Sequence, residues 1–199
     1  MQHTEVELSG SIALDSDFGE LVLRHIKCGE NEGVAITPPQ NGSRTPVLVR
    51  LQSSCLFSES FGCADCDCAL QLHESLRIIC SEGGVLLYFY EEGRGAGLRA
   101  KVDAIRIQQS TGCDTAAAYR QLHLSPDPRE YKVAALVLTT MLGAGTPIEL
   151  LTNNPQREMR LRQHGINVAV RRSLILPVSA RVISYLNERA RVLGHIIPG

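Results

Sequence analysis

Four of the seven cysteines of this 199-residue chain lie in one short polar stretch, residues 53–72. They are Cys55, Cys63, Cys66 and Cys68. Ionised cysteine thiols are preferred ligands of Zn²⁺, which binds about four donors in a tetrahedron. A group of buried free cysteines is the alternative interpretation, because cysteine is among the most buried residue types. We favour a metal site, since so many cysteines in one polar loop are difficult to bury as hydrophobic residues.

The number of cysteine ligands decides what such a site can do. A structural zinc site is filled by protein, whereas a catalytic one uses three protein ligands and keeps a position for water. Zinc lowers the pKa of bound water to about 7, so an open site supports hydrolysis at neutral pH. The residue types leave open whether three or all four cysteines bind. With Cys63 as a fourth ligand the site would be closed, and a non-catalytic nucleotide-binding protein with a structural zinc is therefore one alternative.

A glycine-rich loop is the second candidate for chemistry. Residues 91–97 (EEGRGAG) follow an apolar, strand-like run at 85–90 and precede a helix-like segment. Glycines let the backbone approach a ligand closely, and a helix N-terminus offers unpaired N–H groups to anions. Arg94 adds a fork of donors that suits phosphate. This pattern alone is a weak signal, because a tight turn explains it equally well.

The elements that carry these loops follow from hydrophobic periodicity and from turn residues. Runs at 6–14 and 21–26 predict an N-terminal β-hairpin, with a third strand at 33–36. A strand at 46–52 leads into the cysteine loop, and a helix is predicted over 69–81. Later strands (85–90, 147–152, 166–170) alternate with helices (98–109, 115–122, 129–142, 156–164, 179–193). This alternation is typical of the α/β class. Without a linker or repeat, we predict a single domain over residues 1–199, with an N-terminal β-rich segment.

Composition limits the partners of the protein. The chain is 44% hydrophobic and 21% charged with a formal charge of −1, and no basic patch interleaves with aromatic residues. We therefore expect no nucleic-acid partner. No run approaches the ~20 apolar residues needed to span a bilayer, so we expect no membrane partner. The N-terminal sequence lacks the pattern of a signal peptide, and thiols available for metal suit a reducing compartment. These features predict a cytoplasmic location.

The cysteine spacing resembles the metal loop of the GTP cyclohydrolase II family of riboflavin biosynthesis, which reads C-x10-C-x-C. The resemblance selects Cys55, Cys66 and Cys68 as ligands of one Zn²⁺ per chain and leaves out Cys63. Residues 92–98 (EGRGAGL) resemble the E-G-R-x-x-G-L segment of the family, and residues 151–155 (LTNNP) resemble its L-T-N-N-P segment. Several motifs in the same order, from about residue 46 to residue 195, make the resemblance specific.

The resemblance implies a reaction and a set of site residues. The family opens the imidazole ring of GTP, releases carbon 8 as formate and removes pyrophosphate. It also implies a mixed sheet flanked by helices, a homodimer, and Mg²⁺ with the triphosphate. Asp127 matches a proton acceptor, and Arg129 matches a nucleophile on the α-phosphate. Because a guanidinium keeps its proton, stabilisation of phosphate charge is the alternative role for Arg129. The implied nucleotide-binding residues are Arg50, Ser53, Gln71, Glu92, Gly93, Arg94, Thr115, Thr152 and Arg157.

Several positions near the expected chemistry depart from the family pattern. Gln52 and Ser54 replace a histidine and a glutamate before the first zinc cysteine, and Asp65 replaces an arginine before the second. Asp65 therefore reverses a charge beside the expected triphosphate. Ile105 replaces a tyrosine and removes a hydroxyl that could orient water. A divergent homologue that stops at the formamidopyrimidine nucleotide, or that uses another purine nucleotide, is therefore a further alternative.

Overall fold

Eight strands and six α-helices organise the computed structural model, which describes residues 5–174, 176, 187, 190–192 and 194–196. The helix predicted over 179–193 lies mostly outside these residues. The strands are β1 (Glu7–Leu8), β2 (Ile12–Ser16), β3 (Gly19–Cys28), β4 (Asn31–Thr37), β5 (Val47–Ser53), β6 (Val85–Phe89), β7 (Ile148–Leu151) and β8 (Val168–Arg172). The helices are α1 (Leu56–Glu59), α2 (Cys68–Glu82), α3 (Gly97–Thr111), α4 (Thr115–Gln121), α5 (Lys132–Leu142) and α6 (Pro155–Gln163), with a 3₁₀ turn at Glu92–Gly95.

All eight strands belong to one mixed sheet. Its order is β1-β3-β4-β6-β5-β7-β8, and β2 also pairs with β3. The pairs on the N-terminal side are antiparallel, from β1 through β6. The pairs β6–β5, β5–β7 and β7–β8 are parallel. The predicted α/β class, mixed sheet and N-terminal β-rich segment are therefore confirmed.

Helices cover both faces of this sheet, so its central strands are buried on two sides. In β6, Val85, Leu87 and Phe89 pack with α5, whereas Leu86 packs with α2 on the opposite face. This division follows from the two-residue alternation of side chains along a strand. A nearly continuous apolar sequence in β6 is therefore explained, and the predicted central strand is confirmed.

The single strand predicted over 6–14 is instead two strands that pair with successive parts of β3. The interruption lies at residues 9–11, which read SGS. There, the Ser9 N–H donates to His25 O at 3.0 Å, and the Ser9 hydroxyl accepts from the His25 N–H at 2.8 Å. A side-chain oxygen thus replaces a backbone acceptor, which is a known way for serine to interrupt regular pairing.

The helix predicted over 129–142 begins later, at Lys132. The backbone N–H of Arg129 donates to Asp127 Oδ1 at 3.4 Å. Such a local side-chain acceptor competes with helical hydrogen bonding. In addition, Arg129 O accepts from Arg160 Nη1 at 2.9 Å, which holds this segment against α6.

The topology places three loops at one edge of the sheet. The parallel strands β5, β6 and β7 end there at Ser53, Phe89 and Leu151. The cysteine loop, the glycine-rich loop and residues 152–155 follow these strands directly. Crevices outside the carboxyl ends of parallel strands are the usual ligand sites of open α/β sheets. Within the described part of the chain, no helix combines the length and apolar character that a membrane crossing requires.

Candidate active site

A cavity of about 640 Å³ opens at this edge of the sheet. It is lined from the cysteine loop, the glycine-rich loop, α3 and the start of α4. Most of the residues selected from the sequence contribute to its wall. They are Arg50, Ser53, Cys55, Cys66, Cys68, Gln71, Glu92, Gly93, Arg94, Thr115, Arg129 and Arg157. The other two, Asp127 and Thr152, lie outside the lining.

Three cysteine sulfurs converge on one point of the cavity wall. The Sγ atoms of Cys55, Cys66 and Cys68 all lie within 4.8 Å of one another, and those of Cys55 and Cys66 are 3.7 Å apart. Tetrahedral Zn²⁺ with bonds of about 2.3 Å separates its ligand sulfurs by about 3.8 Å. The cluster therefore fits a zinc ion. Cys63 is not part of this cluster, and its sulfur instead donates to Asp65 Oδ2 at 3.4 Å.

Proton sharing makes Cys55 the most acidic thiol of the cluster. Hydrogen bonds from Cys66 and Cys68 lower the pKa of the Cys55 thiol, and the charge of Lys101 lowers it further. The same hydrogen bonds to Cys55 raise the pKa of the Cys66 and Cys68 thiols, and burial adds to this effect. The cluster thus favours the thiolate form of Cys55, whose buried sulfur would attract a cation.

A half-buried carboxyl group, that of Glu59, holds the cysteine loop in shape. It accepts hydrogen bonds from the Cys55 N–H at 3.2 Å, from Gln52 Nε2 at 3.3 Å and from the Tyr88 hydroxyl. Burial raises the pKa of Glu59, although these hydrogen bonds act against the rise. Gln52 also donates to Cys68 O at 3.5 Å, so it links two of the ligand positions. The sequence analysis missed this role of Glu59, whose signal was a carboxylate one helical turn after the first cysteine.

Two of the predicted nucleotide-binding residues contact each other. Arg50 Nη2 donates to Gln71 Oε1 and to Gln52 Oε1, both at 2.7 Å, and Arg50 Nη1 donates to Leu151 O at 3.1 Å. Gln71 in turn donates to Asp67 Oδ2 at 2.5 Å. Arg50 is 3% exposed, so its guanidinium reaches the cavity from within the sheet. Their hydrogen bond therefore fixes the side chains of Arg50 and Gln71 relative to each other before a ligand binds.

Left-handed backbone shapes the glycine-rich loop. Gly93 has φ 60°, and Arg94 has φ 58°. A positive φ is uncommon for a residue other than glycine and is typical of functional sites. The loop is fixed by the Tyr119 hydroxyl, which donates to Gly93 O at 2.9 Å, and by Arg94 Nη1, which donates to Pro126 O at 3.1 Å. Arg94 therefore connects this loop to the segment that carries Asp127.

Asp127 and Arg129 form an ion pair beside the cavity, and their contact favours the charged form of each side chain. Burial opposes the charge of Asp127, but hydrogen bonds and charge from Arg129 hold its pKa below the ordinary value. Burial also opposes the charge of Arg129, yet Tyr131, Asp127 and Glu91 raise its pKa above the ordinary value. Arg129 itself lines the cavity, so a permanent positive charge faces the space beside the glycine-rich loop.

The LTNNP segment (residues 151–155) forms the turn that leads into α6 beside the cavity. Thr152 is 1% exposed, and its hydroxyl accepts from the Asn154 N–H at 3.1 Å. Asn154 caps α6 by accepting from the Gln156 N–H at 2.9 Å. Arg157, on the first turn of α6, donates to Leu51 O at 2.8 Å and lines the cavity. Thr152 thus shapes the turn that presents Arg157.

The remaining two predicted residues, Ser53 and Thr115, both line the cavity. Ser53 Oγ donates to Glu91 Oε2 at 3.2 Å, and burial raises the pKa of Glu91. The Thr115 hydroxyl accepts from Gln108 Nε2 at 3.2 Å. Thr115 follows Asp114, which is the residue that caps α4 by accepting from the Ala117 N–H. The structure therefore assigns the cap to Asp114 and leaves Thr115 on the cavity wall.

The fold and this site define an α/β enzyme with a candidate three-cysteine metal centre. Residues 10–173 match the family described as GTP cyclohydrolase II. A protein named GTP cyclohydrolase-2, from Campylobacter hominis, is 34% identical over 192 residues, which are 96% of each chain. The chain belongs to the GTP cyclohydrolase II family, as its sequence motifs predict.

Larger proteins also match this chain. Riboflavin biosynthesis protein RibBA from Bacillus cereus is 36% identical over 197 residues, covering 98% of this chain and 49% of the relative. The chain thus spans about half the length of the RibBA proteins that it matches. One solved structure, RibBX from A. baumannii, is described as a two-domain 3,4-dihydroxy-2-butanone 4-phosphate synthase. It matches with a TM-score of 0.47 at 14% identity, covering 88% of this chain and 41% of that one.

Proposed function

We propose that the protein is a zinc-dependent GTP cyclohydrolase II. It opens the imidazole ring of GTP and releases formate and pyrophosphate, to give a 2,5-diamino-6-ribosylamino-pyrimidinone 5'-phosphate. One observation carries the proposal: a three-sulfur cluster faces a cavity of about 640 Å³ that is also lined by four arginines. The near-full-length similarity to a GTP cyclohydrolase-2 supports it.

Cys55, Cys66 and Cys68 would hold the Zn²⁺. The ion supplies Lewis acidity, which makes a water molecule nucleophilic at neutral pH. Such catalysis requires a coordination position free of protein ligands. The hydrogen bond of Cys63 to Asp65, away from the cluster, supports this requirement. It weighs against the non-catalytic alternative, which needs a fourth sulfur.

The arginines of the cavity would bind the triphosphate. Arg50, Arg94, Arg129 and Arg157 all line the cavity, and the positive charge and planar shape of their guanidinium groups suit phosphate oxygens. Arg129 keeps its charge in this setting, so we assign it to the stabilisation of charge at the α-phosphate. Asp127 is the ionised partner of Arg129 and is therefore the candidate proton acceptor.

Other residues of the cavity would bind the nucleoside. We assign this role to Gln71, Ser53, Thr115, Glu92 and the backbone of Gly93, with Thr152 acting through its turn. The side-chain oxygens of Gln71 and Glu92 accept hydrogen bonds from Arg50 and Lys101, which fixes their orientation. Mg²⁺ with the triphosphate, a homodimer and a cytoplasmic location complete the proposal, and they rest on the resemblance to the family.

Ile105 favours a second candidate function. Its side chain lines the cavity, at the position where the family has a tyrosine. An aliphatic group cannot orient water or transfer a proton. The reaction would then stop after ring opening, at the formamidopyrimidine nucleotide. Asp65 lines the same cavity and places a carboxylate where the family has an arginine, which favours a purine nucleotide other than GTP.

Product identification separates these functions. Zinc-replete protein is incubated with GTP, and the mixture is analysed by mass spectrometry together with enzymatic assays for formate and pyrophosphate. One formate and one pyrophosphate per GTP support the complete reaction. A product that retains carbon 8 supports the second candidate. No turnover of GTP, GDP, GMP, ATP, ITP or XTP by zinc-loaded protein would reject both functions in favour of a non-catalytic nucleotide-binding protein.

A further inference from the structure

Lys101 lies where the cysteine loop, the glycine-rich loop and helix α3 meet. Its Nζ is 3.2 Å from Cys55 Sγ and 2.5 Å from Glu92 Oε1. It also lies 4.7 Å from the centre of the Phe57 ring, on whose face an ammonium is attracted. The Lys101 side chain is 17% exposed. This ammonium is therefore fixed by a sulfur, a carboxylate and an aromatic ring at once.

Glu92 completes the connection between the two loops. Its Oε2 accepts from the Leu56 N–H of the cysteine loop at 2.8 Å, and its Oε1 accepts from the Gly93 N–H at 3.1 Å as well as from Lys101. A side chain at Gly93 would place its Cβ 3.2 Å from Lys101 Cβ. The glycine thus lets the loop lie directly against α3, which brings the lysine into reach of Cys55.

We propose that Lys101 is a positioning residue for the metal centre, which donates a hydrogen bond to the Cys55 sulfur while Glu92 holds it in place. The inference rests on the proposed function only in taking Cys55, Cys66 and Cys68 as metal ligands. The sequence motifs did not single out this residue.

The expected effect of Lys101 is electrostatic. Three thiolates and one Zn²⁺ sum to one negative charge, and an ammonium beside them offsets it. A hydrogen bond to a ligand sulfur draws electron density away from that sulfur, so the sulfur donates less to the metal. Outer-shell partners of this kind typically change metal affinity or activity by about 10–100-fold. Lys101 would therefore tune the metal and also join it to the loop that carries Arg94.

Cobalt substitution tests this role without any assay of turnover. Co²⁺ bound to thiolates gives a sulfur-to-metal charge-transfer band, whose energy falls when the sulfur becomes a stronger donor. The experiment titrates Co²⁺ into wild type, Lys101→Met, Lys101→Arg and Lys27→Met. Lys27 is the matched control, because it pairs with Glu32 at 3.0 Å on the surface and does not line the cavity.

We expect Lys101→Met to shift the band to longer wavelength, because the Cys55 sulfur becomes a stronger donor. We also expect it to weaken Co²⁺ binding by about tenfold or more, because the negative charge of the loaded site is no longer offset. Lys101→Arg keeps the charge, so its band and its Co²⁺ affinity should lie closer to those of wild type. Lys27→Met should have the band and the affinity of wild type. Glu92→Gln removes the carboxylate that shares the ammonium of Lys101, so it should shift the band to shorter wavelength. This variant provides the test if Lys101→Met does not fold. Circular dichroism reports folding of each variant.

The inference is overturned if folded Lys101→Met has the band and the Co²⁺ affinity of wild type. If Lys101→Met does not fold, the same result in Glu92→Gln overturns it. Failure of the proposed function looks different. A wild-type protein that binds no Co²⁺ refutes the metal site and this inference together. Normal Co²⁺ spectra with the expected shifts, but no turnover of GTP, refute only the proposed reaction.

Discussion

Arg129 and Asp127 form a bidentate ion pair across Pro128. Arg129 Nε is 2.7 Å from Asp127 Oδ1, and Arg129 Nη2 is 2.6 Å from Asp127 Oδ2. Their side chains are only 9% and 10% exposed. Removing one member of a buried pair leaves an uncompensated charge, which is far more costly than losing an exposed pair. The two candidate catalytic residues therefore act as one unit in stability as well as in chemistry.

Asp127→Asn should lower the free energy of unfolding by about 3 kcal/mol, because it leaves the Arg129 charge buried without its partner. Urea denaturation followed by circular dichroism measures this change. Asp103→Asn is the matched control. It removes the exposed pair with Arg99, whose side chain is 90% exposed, and should cost less than about 1 kcal/mol. Equal losses in the two variants would show that the pair is not buried in solution.

The contribution of Asp127 should depend on pH in a defined direction. Its folded-state pKa lies below the ordinary value, so its stabilising effect is complete above the unfolded-state pKa of about 3.9. The effect is lost as pH falls through the lower folded-state pKa. The stability difference between wild type and Asp127→Asn should stay constant from about pH 5 to 7 and shrink below about pH 4. A difference that grows on acidification would contradict the assignment.

Cys66→Ser and Cys63→Ser should differ sharply in metal content. Loss of a ligand sulfur should weaken Zn²⁺ binding by more than about 100-fold, beyond the effect of an outer-shell partner. Cys63→Ser removes a thiol from the same loop but not from the three-sulfur cluster, so its zinc content should equal that of wild type. Competition with a chromophoric chelator measures both affinities. Comparable losses would indicate a four-cysteine site.

Ile105→Tyr should raise the formate released per GTP if the wild-type reaction stops early. The substitution places a hydroxyl in the cavity wall, where it can orient a water molecule. Val102→Tyr is the control, since Val102 lies on the same helix, is 45% exposed and does not line the cavity. The ratio of formate to consumed GTP is the measurement. If wild type already releases one formate per GTP, its reaction does not stop early and this prediction no longer applies.

Gly84→Ala should destabilise the protein by about 2 kcal/mol or more through backbone strain and a steric clash. Gly84 has φ 127°, and an added Cβ would lie 2.4 Å from Leu48 O in the adjacent strand. Gly10→Ala is the control, because nothing lies within 4 Å of its added Cβ. Thermal unfolding of both variants provides the comparison. A Gly84→Ala variant as stable as Gly10→Ala would mean that β5 and β6 can separate at this point.

The sequence specified the order of elements better than the geometry of side chains. Continuous apolar runs such as β6 and cysteines at family spacing predicted strand positions and the three-sulfur cluster. The roles of Gln52 and Lys101 were not predictable, because each depends on contacts between elements that only the folded sheet brings together, whereas Glu59 carried a signal in its position one helical turn after Cys55. Lys101 is 46 residues from Cys55 in the chain, yet their side chains touch. The late start of α5 also escaped prediction, since the Asp127 carboxylate accepts from the Arg129 backbone N–H and so competes with helical hydrogen bonding there.

Strand β5 lies between β6 and β7 in the sheet. Strand β7 is made about a hundred residues after β5, as the 101-residue separation of Arg50 from its acceptor Leu151 shows. Because β6 is made before β7, we expect β5 to pair first with β6 on the ribosome, with its other border open until residues 148–151 emerge. An open apolar strand border is a template for mispairing with other chains. We therefore expect a chain whose translation is arrested in this interval to be bound by chaperones.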